Sequence, residues 1–199
     1  MYDIITIERR YASGGNEIGK KLAEALGYTL YDRNILVEAA KNLNIPYYQI
    51  GSLEESSSGG LLMNLSKTAL GGFSSNRELP LADKLFLEEK RIIEEAAEKG
   101  KCVIVGRASG YILREKPNSL RVFIYADREK RIQRAIEREG IQQAEAENAL
   151  KRNDKRRSGF YNSVTNWEWG SPEYYELYLN AGKLGIDPCV RLLMEAAKG

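Results

Sequence analysis

The sequence predicts an α/β protein, a parallel sheet with helices packed on both faces. Three observations carry this. Short apolar runs alternate with longer segments of helical periodicity, the pattern of successive strand–helix units. The run Cys102-Val103-Ile104-Val105 is continuously apolar, as in a central strand buried on both faces. The chain opens with Ile4-Ile5-Thr6-Ile7, passes through Ser13-Gly14-Gly15, and continues with Ile18, Leu22 and Leu26 at four-residue intervals. That order is strand, glycine loop, amphipathic helix.

The first loop has two registers. Gly14-x-x-x-x-Gly19-Lys20 has the phosphate-loop spacing, with Lys21 where Ser or Thr is expected. It leaves only Lys20 to Leu26 for the helix, about two turns. The other register starts the loop at Arg9 and the helix near Asn16. It gives about three turns, a usual helix length, and uses Ile18 in the apolar stripe. We take the second. Gly15 then stands where a phosphate-loop lysine would, and Asn16 and Glu17 where the small residue and the magnesium-binding hydroxyl would. Gly27 ends the helix. Backbone N–H groups and the positive end of the helix dipole converge on Ser13 to Glu17, a place for a phosphate. A glycine turn with no ligand is the plain alternative.

Tyr28 to Tyr31 reads as a second strand, and Asp32 as the cap of a helix whose apolar face is Ile35, Leu36, Ala39, Ala40 and Leu43. Pro46 stops it. Ser52 and Glu55 form a weak capping box ahead of a Ser/Gly tract. A short helix is expected at Leu61 to Leu70, and loop from Gly71 to Pro80. Leu81 to Lys99 reads as a long helix closed by Gly100. The buried strand at Cys102 follows, then Gly106-Arg107. Leu120 to Ala126 is a further strand, with Asp127 capping the next helix. Ala144 to Arg157 is helical, Tyr174 to Asn180 is the last strand, and Asp187-Pro188 opens the final helix.

At 199 residues the chain is long enough for one domain with a real core. No apolar run approaches the length of a membrane span, and the N-terminus begins a strand rather than a signal peptide, so the default expectation is a cytoplasmic protein. Two cysteines are too few for a disulfide framework or a zinc site. With no histidine, Ser-His and Cys-His catalysis and histidine-ligated metals are excluded. The net charge is +2, so basic groups matter by position rather than by total.

In parallel sheets, ligands sit at the carboxyl ends of the strands. The Ser13-Gly14-Gly15 loop, Asp32-Arg33 and Gly106-Arg107 each follow a strand and should face one crevice. Together they describe a site for an anionic ligand with two phosphate-handling ends. Lys151 to Arg157 holds five basic residues in seven, more than pairing with Glu147 and Asp154 requires. A solvated helix face is one reading. A basic helix closing over a nucleotide is another, and nucleic-acid binding a third. Tyr161, Trp167, Trp169, Tyr174, Tyr175 and Tyr178 follow. They either stack bases or, as we prefer, cover the sheet edge or the closing segment.

At these residues the chain resembles the cytidylate-kinase-like group of P-loop nucleoside monophosphate kinases over nearly its full length. Ile5 to Leu26 is similar to the opening of bacterial cytidylate kinases without a gap. Val105-Gly106-Arg107-Ala108-Ser109-Gly110 resembles their Gly-Arg-Asp-x-Gly segment, Asp154-Lys155-Arg156 their arginine-rich lid, and Tyr178-Leu179-Asn180 with the closing helix their last strand and helix. The resemblance implies a three-layer α/β/α P-loop NTPase fold. It implies one domain over 1–199, with a mobile monophosphate-binding insertion at about 52–80 and a lid at about 144–172. Departures fall at functional positions: Gly15 for the loop lysine, Glu17 for the magnesium-ligating hydroxyl, Glu38 for an arginine, and Ala108 for the aspartate after Gly-Arg. Arg9, Arg10 and Lys20, in or near the loop, are candidates to supply the missing charge.

The leading expectation is a phosphotransferase that moves a phosphoryl group from ATP, with Mg2+ as candidate companion, to a small phosphorylated acceptor such as CMP. The cofactor side is assigned to Arg9, Ser13, Gly14, Gly15, Asn16, Glu17 and Lys20, and the acceptor side to Asp32, Arg33 and Arg107. Arg107, Arg156 and Arg157 are the candidate catalytic residues, with Arg107 holding the acceptor phosphate. No metal site is assigned. The alternative is a nucleotide-binding or regulatory module that has lost turnover. A nucleic-acid-binding protein is the third, least favoured reading, and no membrane partner is expected.

Overall fold

The computed structural model describes residues 1–56 and 79–199. Its strands are β1 (Ile4–Arg9), β2 (Thr29–Tyr31), β3 (Cys102–Val105), β4 (Ser119–Tyr125) and β5 (Leu177–Asn180). They form one sheet in the order β2-β3-β1-β4-β5, with every pair parallel. The helices are α1 (Gly15–Leu26), α2 (Asn34–Asn42), α3 (Tyr47–Ser56), α4 (Leu81–Lys99), α5 (Ser109–Ile112), α6 (Arg128–Glu139), α7 (Gln143–Val164), α8 (Ala181–Leu184) and α9 (Ile186–Lys198).

The period-two alternation of β1 and β3 divides their side chains between the two faces. Ile5, Ile7, Val103 and Val105 meet Ile18 and Leu22 of α1 and Val190 and Leu193 of α9. Ile4, Cys102 and Ile104 meet Ile35 and Ala39 of α2 and Ile92, Ile93 and Ala96 of α4. A third, aromatic group surrounds Phe123 of β4, with Phe86, Tyr161, Val164, Trp169 and Tyr175. The fold is a three-layer α/β/α sandwich. Each fully buried Ile or Leu contributes about 1.5–3 kcal/mol of transfer free energy, so both helical layers are held by the same central strands.

β1 lies between β3 and β4, with Ile7 opposite both Val105 and Val122. The chain winds one way from β1 to β2 and β3, and the other way to β4 and β5. The carboxyl end of β1 is thus the switch point of the sheet, where a crevice opens between diverging loops.

The sequence expectations hold for the main elements and fail at several edges. α1 begins at Gly15, with Gly14 as its N-cap, in agreement with the second loop register. α4 has the expected bounds. Asp32 lies just before α2 and accepts the Asn34 N–H at 3.3 Å, although the N-cap position itself is Arg33. Ser52 does not open a helix; it lies inside α3, which the Pro46 stop had hidden. α7 runs unbroken to Val164, so the basic run sits in its middle. Pro172 to Tyr174 form a 3-10 turn, which shortens the last strand to four residues. α9 starts at Ile186 after Gly185, so Asp187 and Pro188 lie within its first turn rather than at its cap. The expected insertion at about 52–80 overlaps the end of α3, and its 57–78 portion lies outside the described residues. Among the described residues, no helix is long and apolar enough to cross a membrane.

Candidate functional site

The loop after β1 is built to present N–H groups. Gly14 takes φ 91, a left-handed conformation that glycine adopts without the Cβ penalty, and the first helical hydrogen bond runs from Ile18 N to Gly14 O at 2.9 Å. The N–H groups of Gly15, Asn16 and Glu17 precede that bond and have no intrahelical acceptor. Ser13 Oγ lies 2.8 Å from Arg10 O and 3.1 Å from Ile124 O, which fastens the loop to the end of β4. Ala12 (φ 54), Arg107 (φ 59) and Ala108 (φ 55) also take left-handed backbones. Such strain in non-glycine residues tends to gather at functional loops.

These loops wall a cleft of about 510 Å3 at the switch point. Arg9, Ser13, Gly14, Gly15, Asn16, Glu17, Asp32, Arg33, Arg107, Arg156 and Arg157 all line it. Segments as far apart in sequence as Arg9 and Arg157 are thereby brought together. Lys20 is the exception: it sits on the exposed face of α1 and does not line the cleft. Arg10 lines it but is turned toward α7, with Nη1 3.6 Å from Asp154 Oδ2 and its guanidinium over the Trp169 ring. Glu38, exposed on α2, is not part of the cleft.

Arg9 forms the floor. Its Nε donates to Asn16 Oδ1 at 2.9 Å, and its guanidinium reaches across to the backbone of Gly106. Burial pushes its pKa down against the pull of Glu8, and Arg107 and Arg33 push the same way as burial. Arg107 ion-pairs with Glu89 of α4 and stacks on the Phe160 ring at 4.2 Å. Glu89 is fully buried, so Arg107 is at once a cleft wall and part of the core's charge balance. Arg157 Nη1 donates to Arg9 O at 3.0 Å, and burial, with Arg9 beside it, brings its pKa down to about 9. Arg156 is exposed and donates to Asn153 Oδ1 at 3.2 Å.

Several partners of the residues in and around the cleft had no local sequence signal. Glu17 is ion-paired with Arg134 of α6, 117 residues away, and that hydrogen bond holds its carboxyl below the usual range. Asp154 Oδ1 accepts the Tyr11 N–H at 2.8 Å, while its Oδ2 takes Arg131 Nη2 at 2.6 Å. A carboxylate from α7 thus rests on the loop backbone, where another anion would find the same donor. Glu8 lies beneath Arg9, buried on the aromatic side of the sheet. The downstream aromatics pack over β4 and beside the edge strand β5: Trp169, Tyr175 and Tyr178 pack on Phe123, and Trp167 stacks on Tyr174 at 4.5 Å.

The donor set fits a polyphosphate, with first-turn N–H groups and converging guanidinium groups. It fits a protein-held Mg2+ less well. Glu17, at the position of the hydroxyl ligand, is engaged by Arg134, and among the described residues no group of three His, Cys, Asp or Glu is placed to hold a metal.

Residues 4–183 match the sequence profile of the cytidylate kinase-like family. A crystal structure of an uncharacterized protein from Eubacterium ventriosum ATCC 27560 superposes with a TM-score of 0.74 and 26% identity, covering 98% of each chain. A shikimate kinase from Bacteroides thetaiotaomicron shares the fold at TM-score 0.53 and 14% identity, again over 98% of each chain. TT1252 from Thermus thermophilus does so at 0.54 and 18%, over 98% of this chain and 96% of that one. A protein from Corynebacterium glutamicum named uronate isomerase is 24% identical over 133 residues, 67% of this chain. The chain spans about a quarter of that protein's length, 26%. The profile covers nearly the whole chain and the fold is that of P-loop kinases: the chain belongs to the cytidylate kinase-like family.

Proposed function

We propose that the chain is an ATP-dependent phosphotransferase of the nucleoside monophosphate kinase type, acting on a small phosphorylated acceptor such as CMP. The observation that carries this reading is the convergence of the loops after β1, β2 and β3 on one cleft walled by Arg9, Arg107 and Arg157. The ATP phosphates would lie on Ser13 to Glu17 and take the first-turn N–H groups there, that of Ser13 itself being turned to Arg10 O at 3.3 Å. Asp32, Arg33 and Arg107 would hold the acceptor, and Arg156 and Arg157 would neutralise the transferring group. In the transfer, an acceptor phosphate oxygen bonds to the γ-phosphorus as the bond from phosphorus to the β–γ bridging oxygen breaks. The electron pair leaves with ADP, and the acceptor oxygen, already ionised at neutral pH, has no proton to give up. Mg2+ on the phosphate oxygens would supply further charge neutralisation.

The second reading, a nucleotide-binding module without turnover, is favoured by Glu17 held in its ion pair with Arg134 and by Asp154 resting on the loop. Turnover of ATP with a panel of monophosphates, with and without Mg2+, separates the two. The kinase reading expects an acceptor-dependent rate. Arg107→Ala, at a rigid strand end, should chiefly raise KM for the acceptor, and Arg156→Ala, on an exposed face, should chiefly lower kcat. Each lost phosphate contact costs about 1.5–3 kcal/mol, roughly one to two decades. ATP binding without turnover for any monophosphate would leave the second reading standing.

A further inference from the structure

We infer that this chain has exchanged the two ends of its phosphate loop, so that Arg9 replaces the loop lysine. The proposal rests on the nucleotide reading above. In the second register the loop begins at Arg9, where the phosphate-loop pattern has glycine, and reaches Gly15, where that pattern has lysine. The two departures abut in space. A Cβ added at Gly15 would stand 2.5 Å from Arg9 Cβ and 2.8 Å from Arg9 Cγ. The stem of Arg9 therefore fills the space into which a side chain at residue 15 would grow. As placed, the two positions cannot both carry even a Cβ, and here the side chain, a long cation, comes from the strand end.

The placement of the head group follows from this. Arg9 is fixed by Asn16 Oδ1 at 2.9 Å, on the first turn of α1, and its guanidinium lies against Gly106, where a Cβ would collide with Nη1. Gly106 takes φ 83 and precedes Arg107. The guanidinium thus spans from the loop after β1 to the loop after β3, the boundary between the proposed donor and acceptor sides. That boundary is where the terminal phosphates of a bound nucleotide belong. Arg9 is half-buried and lines the cleft, so its outer face meets the ligand. The rival cations are placed otherwise: Lys20 is outside the cleft and Arg10 is turned to Asp154. Against a lysine, Arg9 offers a planar fork able to touch two phosphate oxygens at once.

The test is equilibrium binding of AMP, ADP and ATP to the parent, Arg9→Ala, Arg9→Lys, Gly15→Lys and the double variant Arg9→Gly/Gly15→Lys, each checked for folding by circular dichroism. A contact to terminal phosphates predicts that Arg9→Ala weakens ATP by about 10- to 100-fold, with ADP affected less and AMP little. Arg9→Lys should recover part of the loss. Gly15→Lys alone should weaken ATP binding, because its stem collides with Arg9. The double variant should recover affinity over Arg9→Ala, since it restores a glycine at the start of the loop and a lysine at its end. If Arg9→Ala does not fold, the comparison rests on Arg9→Lys and the double variant. Undiminished ATP affinity in Arg9→Ala, equal losses for AMP and ATP, or a double variant no better than Arg9→Ala (or, where Arg9→Ala does not fold, no better than Gly15→Lys) would overturn the exchange alone. A parent that binds no nucleotide would overturn the reading on which it rests.

Discussion

Glu8 shows how much one residue's surroundings decide. It precedes Arg9 on β1 and faces away from Ile7, toward the cluster of Tyr161, Trp169 and Tyr175, with 4% of its surface exposed. Burial pushes its carboxyl above the ordinary 4.5, with Arg9 the main opposing influence. Between 4.5 and its folded-state value, the folded protein holds a proton that the unfolded chain has released. Stability is therefore full below the unfolded pKa and falls as pH rises through that window. Glu8→Gln removes the titration and keeps the shape. We expect the variant to equal the parent near pH 4 and to be the more stable at pH 8, as read by urea denaturation across that range. Parallel pH profiles for the two would mean that Glu8 ionises as freely in the fold as in the open chain. Sequence gave no hint of this: Glu8 reads as the polar side of a strand, and only the aromatic residues more than 150 positions later make it buried.

Among the elements, α1 and its loop were legible because everything that shapes them is local. The stripe of Ile18 and Leu22, the glycines and the β-branched strand before them fix the register within 20 residues. α3 was missed because Pro46 reads as a stop although the chain resumes a helix one residue later, and α5 because a four-residue helix after two left-handed residues has no periodicity to detect. The long-range pairings around the cleft were illegible for a different reason. Glu17–Arg134 and Tyr11–Asp154 join different elements across more than 100 residues, and spacing says nothing about such pairs. Helix packing yields its own prediction. α1 crosses β3 so closely that a Cβ at Gly19 would stand 2.7 Å from Val105 Cγ2, whereas a Cβ at Gly159 in α7 would meet nothing within 4 Å. Alanine favours a helix over glycine by roughly 1 kcal/mol, while overpacking a core costs about 1–3 kcal/mol. Gly159→Ala should therefore stabilise by up to about 1 kcal/mol, and Gly19→Ala should destabilise by about 1–2 kcal/mol. Denaturant midpoints with unchanged slopes would measure both, and a stabilising Gly19→Ala would mean that α1 can lift off the sheet at little cost.

For the whole molecule, charge is a matter of distribution. The chain carries 30 basic and 28 acidic residues, a net +2. Yet the cleft is lined by Arg9, Arg10, Arg33, Arg107, Arg134, Arg156 and Arg157 against Glu8, Glu17, Asp32 and Glu139, and burial disfavours the ionised form of Glu8. Burial first, and then the cations beside them, push the pKa values of Arg9 and Arg157 down. A bound anion would relieve that repulsion, so binding should stabilise the fold in proportion to the charge delivered there. We expect the Tm to rise in the order AMP, ADP, ATP, with tripolyphosphate also effective. Salt separates this from nucleic-acid binding. The Debye length falls from about 10 Å at 0.1 M to about 3 Å at 1 M, but partly buried charges are screened far less than surface ones. A polyanion held along an exposed helix face loses affinity by about 10³–10⁵ between 50 and 200 mM salt when it makes six to ten phosphate contacts. Nucleotide stabilisation should therefore persist at 0.3 M NaCl, where single-stranded RNA binds weakly or not at all. RNA binding at that salt together with no thermal response to ATP would reverse the assignment, placing the function on the basic face of α7 rather than in the cleft beneath it.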